Sequence, residues 1–154
     1  MLTSLKRRMP VRARFVAPEP QEAVNAPFAE ELVLNMLSSH PHLRRMGLHV
    51  IPPGGSQMIL IANGNATRLG IHTSAGDFAA VKGGKTYGPY IADGDFYNMK
   101  TPMFDATGHH IGILVMEIPG TSASNEQDAA HQAEAIRKDL SERISSLERL
   151  FQKQ

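Results

Sequence analysis

The chain has 154 residues, 42% hydrophobic and 20% charged, with seven histidines, no cysteine and a net charge of +1. These are the values of one globular domain long enough to bury a real core. They exclude disulfides and cysteine-held metals, and no apolar run approaches the length of a membrane span.

The charge is uneven. Residues 1–20 carry Lys6, Arg7, Arg8, Arg12 and Arg14 against Glu19, a balance of +4 that leaves −3 for the remainder. A mildly acidic folded part argues against nucleic acid as a partner. Residues 1–24, with Pro10, Pro18 and Pro20, read as a disordered basic arm, and 25–154 as the single domain. A secretory signal needs an unbroken apolar stretch after its basic region; here Pro10, Arg12 and Arg14 interrupt it.

A first helix is expected over about 27–39, with Asn25 as cap and Pro27 in the first turn. Phe28, Leu32 and Met36 share one face. Pro41 stops the helix, because the residue before a proline disfavours helix. A short turn over Leu43–Met46 then ends at Gly47. Strands follow at 48–51, 57–62 and 67–72, with Asn63-Gly64-Asn65 as a turn. The segments 77–82 and 85–91 flank Gly83-Gly84 at the spacing of a two-residue hairpin. Asp93-Gly94-Asp95 is a further turn.

The run 96–118 reads as the final hairpin. Asp105–Gly108 supplies its turn, since Asp folds its side chain onto its own backbone and Gly tolerates positive φ. The strand Ile111–Ile118 is apolar in both alternating sets, so it should be covered on both faces, with Ile113 and Val115 buried. A closing helix is expected at 124–150, from the capping-box spacing of Ser124 and Gln127 and a stripe through Ala129, Ala133, Ile136, Leu140, Ile144, Leu147 and Phe151. That stripe would cover the sheet, or else pair with a second copy as a homodimer. The fold class is therefore α+β: a central antiparallel sheet of five or six strands, with an N-terminal helix and a long C-terminal helix.

Chemistry-bearing motifs are sparse. His40 and His42 flank Pro41, and His109 adjoins His110. Adjacent side chains on extended chain point to opposite faces and chelate poorly. There is no HExxH, Gly-x-Ser-x-Gly or phosphate-loop pattern. No catalytic residue, metal ligand or cofactor is assigned. Tyr87, Tyr90, Phe96, Tyr97 and Phe104 cluster instead, with Arg68, Lys85, Asn98 and Lys100 interleaved or nearby. Aromatic walls with a few placed polar groups suit a small-ligand cavity. The candidate ligand-binding residues are Arg68, Tyr87, Tyr90, Asn98 and Lys100. Asn98 and Lys100 share a strand face, and Lys100 would meet an anionic group.

The apolar strand, acidic-Gly turn and Ile-Gly-Ile-Leu-Val strand of 96–118 resemble the last hairpin of Cache and PAS-like sensor domains. The stretch Phe78–Ile91, with Gly84-Lys85 and then Gly88-Pro89-Tyr90, is similar to the middle of that family. The likeness covers roughly residues 28–120. It implies extracytoplasmic, periplasmic recognition of a small molecule, often a carboxylate or amino acid, and coupling to a signalling partner. The expected function is binding or sensing of an anionic metabolite without catalysis. A ligand-free adaptor and an enzyme on the same scaffold are the alternatives.

Overall fold

A computed structural model describes residues 20–153. The basic arm falls outside those residues up to position 19. Its last part does not: Gln21 bridges Ile71, and Glu22 N–H donates to the Gly70 carbonyl at 2.9 Å. The paired chain therefore starts earlier than Asn25.

Helix α1 runs Pro27–Ser39 with Pro at its first turn. Ala26 is the cap and contributes no side-chain bond, so the expected Asn25 cap does not form. The strands are β1 Arg45–Val50, β2 Ile59–Asn63, β3 Tyr90–Ile91, β4 Phe96–Phe104 and β5 His110–Pro119. They form one antiparallel sheet in the order β2-β1-β5-β4-β3. The α+β class, the five strands and both terminal helices are as the sequence predicts.

Several local expectations are corrected. Gly47 ends no helical turn; it lies inside β1. Residues 67–72 are not a regular strand. Asn65 accepts from Thr67 N–H and caps a 3₁₀ turn at Ala66–Arg68, after which Gly70 and Ile71 make only isolated bonds, to Leu60 on the outer edge of β2 and to the Gln21–Glu22 segment. No hairpin forms at Gly83-Gly84. Ala75–Ala80 is a short helix, α2, capped by Ser74 accepting from Asp77 N–H at 3.1 Å. Helix-favouring alanines and that cap outweigh the hairpin signal of the glycines. The glycines, at φ 81 and 77, instead turn the chain after the helix.

The closing helix α3 is shorter than expected, Glu126–Glu142, and its cap is Asn125 accepting from Asp128 N–H at 2.9 Å. The chain leaves α3 where the Ile144 carbonyl accepts from Ala106 N–H at 2.7 Å, which ties it to the β4–β5 turn. The apolar stripe continues past this break into a 3₁₀ turn, Glu148–Phe151, and Ile144 and Leu150 are fully buried.

One sheet face packs on the helices. Met46, Leu48, Met99, Met103, Leu114 and Met116 lie there with Leu32 and Met36 of α1 and Ala129, Ala133 and Ile136 of α3 in one buried cluster. The stripe of α3 is thus covered by the chain's own sheet. Strand registers place the alternate residues on the other face: Lys100 beside Val115, Val115 beside Gly47, and Gly47 beside Asn63. The segment from Ala66 through α2 crosses over that second face. Among the described residues, no helix is long and apolar enough to cross a membrane.

Candidate functional site

Between the second face and its cover lies a cavity of about 530 Å³. Its floor is the sheet itself, and its cover comes from Arg68, residues 71–74 and Asp77. The volume falls in the range of small-ligand sites.

Of the residues singled out in the sequence, Arg68, Asn98 and Lys100 all line this cavity. Tyr87 and Tyr90 do not. Tyr87 borders a separate shallow depression with Gln127 and Ala130, where β4 meets the start of α3. Tyr90 lies on the edge strand, where its hydroxyl donates to Asp95 and its ring packs on Tyr97 at 5.1 Å. The other clustered aromatics also serve edges and core. Phe96 lies under the Arg44 guanidinium, and Tyr97 is buried with the helices. The expected aromatic wall is absent from the cavity because β4 turns Tyr97 and Met99 to the helix face and Asn98 and Lys100 to the pocket.

The site is polar and charged. Three cations, Arg45, Arg68 and Lys100, face two carboxylates, Asp77 and Glu117. Lys100 Nζ lies 3.8 Å from Asp77 Oδ1, and Arg45 Nε 3.7 Å from Glu117 Oε2. Arg68 has no ion-pair partner among the described residues. With the histidines neutral, the lining holds one surplus positive charge.

Sequence reasoning missed His49. It stands on β1 and is 6% exposed, and its Nδ1 is 2.9 Å from Thr73 Oγ1. Burial lowers its pKa to about 4; Asp77 opposes the shift and Arg68 adds to it. At neutral pH the ring is uncharged. The signal that could have found it was its place in the alternation: His49 shares a face with Gly47 and Arg45, opposite Leu48 and Val50. Mistaking Gly47 for a helix end hid that pattern. Among the described residues, no three His, Asp or Glu side chains group as metal ligands.

No family model matches this chain, and no curated protein matches it. Among solved structures, the chain is similar to the Agobacterium tumefaciens repressor BlcR, at 13% identity and a TM-score of 0.48, over 94% of this chain and 73% of that one.

Proposed function

We propose that this domain is a Cache/PAS-like module that binds a small anionic metabolite on the open sheet face and does not convert it. The observation that carries this reading is the cavity itself: ligand-sized, floored by the sheet, and holding three cations against two carboxylates. Lys100 supplies a charged donor that is 12% exposed, and Arg68 supplies a guanidinium suited to a carboxylate. A ligand held between Arg68 on the cover and Asn98 or Lys100 on the floor would join the two layers, which is the physical basis of a sensing response.

A thermal-shift screen of organic acids, amino acids and purines tests this. At least one acid is expected to raise the melting temperature. Lys100→Ala should weaken its binding by roughly 1.5–3 kcal/mol, the range for a hydrogen bond to a charged group. No stabilising anion, or equal affinity in the Lys100→Ala variant, would remove the reading.

One observation favours a second reading, catalysis: a hydroxyl, Thr73 Oγ1, bonded to a histidine in a pocket. A ring with a pKa of about 4 is a weak base at neutral pH, so the binding reading stands ahead. Turnover of an activated ester that vanishes in Thr73→Ala would reverse that order.

A further inference from the structure

On the cavity floor, two polar side-chain nitrogens have no hydrogen-bond partner among the described residues. Asn63 is 4% exposed and His49 is 6% exposed, so each residue is more than nine-tenths buried. Each is anchored by one atom. Asn63 Oδ1 accepts from Asn65 N–H at 2.8 Å, which fixes the amide so that Nδ2 is its other end. His49 Nδ1 is held by Thr73 Oγ1 at 2.9 Å. Neither Asn63 Nδ2 nor His49 Nε2 has a hydrogen-bond partner among the described residues. No fully enclosed side-chain nitrogen or oxygen among those residues lacks a partner, so both nitrogens reach open space.

Gly47 makes that space. It lies between Asn63 on β2 and Val115 on β5, and it has no side chain. An atom placed where its Cβ would stand is 3.2 Å from Asn63 Nδ2, 3.8 Å from His49 Nε2 and 2.9 Å from Leu60 Cδ1. Both nitrogens therefore border the space that the absent side chain leaves. The missing side chain is therefore a notch bordered by two polar nitrogens and the Leu60 side chain.

We infer that the notch over Gly47 seats a hydroxyl group of the bound anion, so that the ligand class is a hydroxylated small carboxylic acid. This rests on the anion-binding reading above and adds the opposite end of the molecule. A hydroxyl suits the notch better than a carbonyl does. It accepts from Asn63 Nδ2, and it satisfies His49 in either neutral tautomer, donating to a bare Nε2 or accepting from Nε2–H. The two ends are set by the sheet. Asn63, Gly47, Val115 and Lys100 form one row across four neighbouring strands. At the usual strand spacing the outer Cα atoms are about 14 Å apart. Side chains reaching inward from both ends leave the length of a benzene ring or a short alkyl chain between acid and hydroxyl.

Calorimetric titration of the full chain with matched pairs tests this: 4-hydroxybenzoate against benzoate, and 6-hydroxyhexanoate against hexanoate. The hydroxylated member of at least one pair should bind about tenfold tighter, since the acid without it leaves buried polar groups unpaired. Gly47→Ala fills the notch from a strand position whose backbone suits alanine, with the Leu60 side chain giving way, and Asn63→Ala removes the donor. In either variant that folds, checked by melting temperature, the preference should fall to within about twofold, whereas Lys100→Ala should weaken both members together. Equal binding of both members by the parent protein, or a preference that survives in both Gly47→Ala and Asn63→Ala, overturns the notch and leaves the anion site standing. If neither member of either pair binds, the notch reading falls; if the screen of acids is also blank, the anion site falls with it.

Discussion

His49 pairs a titratable ring with a buried strand position, and burial decides its charge. Its folded pKa is about 4 against an ordinary value of 6.5. The groups nearest in effect are Asp77, which favours the charged ring, and Arg68, which opposes it. Between these two pKa values the unfolded chain binds a proton that the folded chain refuses. Stability is therefore fully present above pH 6.5 and declines as pH falls toward 4. By pH 4.5 the loss from this one residue is roughly 2–3 kcal/mol. Urea midpoints of the parent protein and of His49→Gln, compared from pH 7.5 to 4.5, measure it as their difference. Parallel pH profiles for the two proteins would mean that the ring is not buried neutral. Asp105 shows the opposite effect. Its Oδ1 accepts from Thr107 N–H, Thr107 Oγ1–H and His109 N–H, which holds the carboxyl below its ordinary range. This is the side-chain-to-backbone turn that the sequence predicts at Asp105–Gly108, with Gly108 at φ 91.

At the scale of elements, β5 explains why a strand with two apolar faces need not be equally buried on both. Leu114 and Met116 are fully buried against the helices. On the other face Ile113 is 1% exposed, beside His49 and Pro102, whereas Val115 is only half-buried because the cavity lies over it. The expectation that both would be buried thus holds for Ile113 and is corrected for Val115. Ile113→Ala should cost roughly 2–5 kcal/mol, and Val115→Ala less than about 1.5 kcal/mol because little packing is lost beneath an open pocket. Denaturant melts of the two variants check this, and equal losses would mean that the cavity is packed shut. Strong periodic signals were legible: α1, the β4–β5 hairpin and the stripe of α3 all stand where alternation or helical spacing places them. What was not legible depended on local competition. Ser74 and Asp77 carry cap spacing while Gly83-Gly84 speaks for a hairpin, and the cap and alanines prevail although α2 has no fully buried residue. Asn98 and Lys100 could be assigned to one face from parity alone. His49 and Asn63 come together only through the register of β1 with β2, which includes a bulge between Leu48 and His49 that no spacing rule reveals.

For the molecule as a whole, the two layers over the sheet are held very differently. The helix layer shares one continuous buried cluster with the sheet. The cover is tied firmly only at its start, where Gly70, Ile71 and Thr73 bond to Leu60 and Met58. Beyond Ser74, α2 has no fully buried residue, and its link to the floor is the Asp77–Lys100 pair at 3.8 Å. Residues 75–84 make no backbone hydrogen bond to the sheet, although Val81 is buried, and backbone pairing resumes where Tyr87 meets Lys100. Such a segment opens at a small fraction of the global unfolding free energy. Its amides should therefore exchange with solvent well before those of β4 and β5. An acid that bridges Arg68 on the cover to Lys100 on the floor adds a contact present only in the closed form, so it should slow exchange across 66–81 in proportion to occupancy. Hydrogen exchange read by mass spectrometry, with and without the best acid from the thermal screen, measures both effects. Slow exchange in 75–84 without ligand would show that the cover is as firmly held as the helices. Faster exchange on binding would mean that the anion draws Lys100 away from Asp77 and releases α2, loosening the cover.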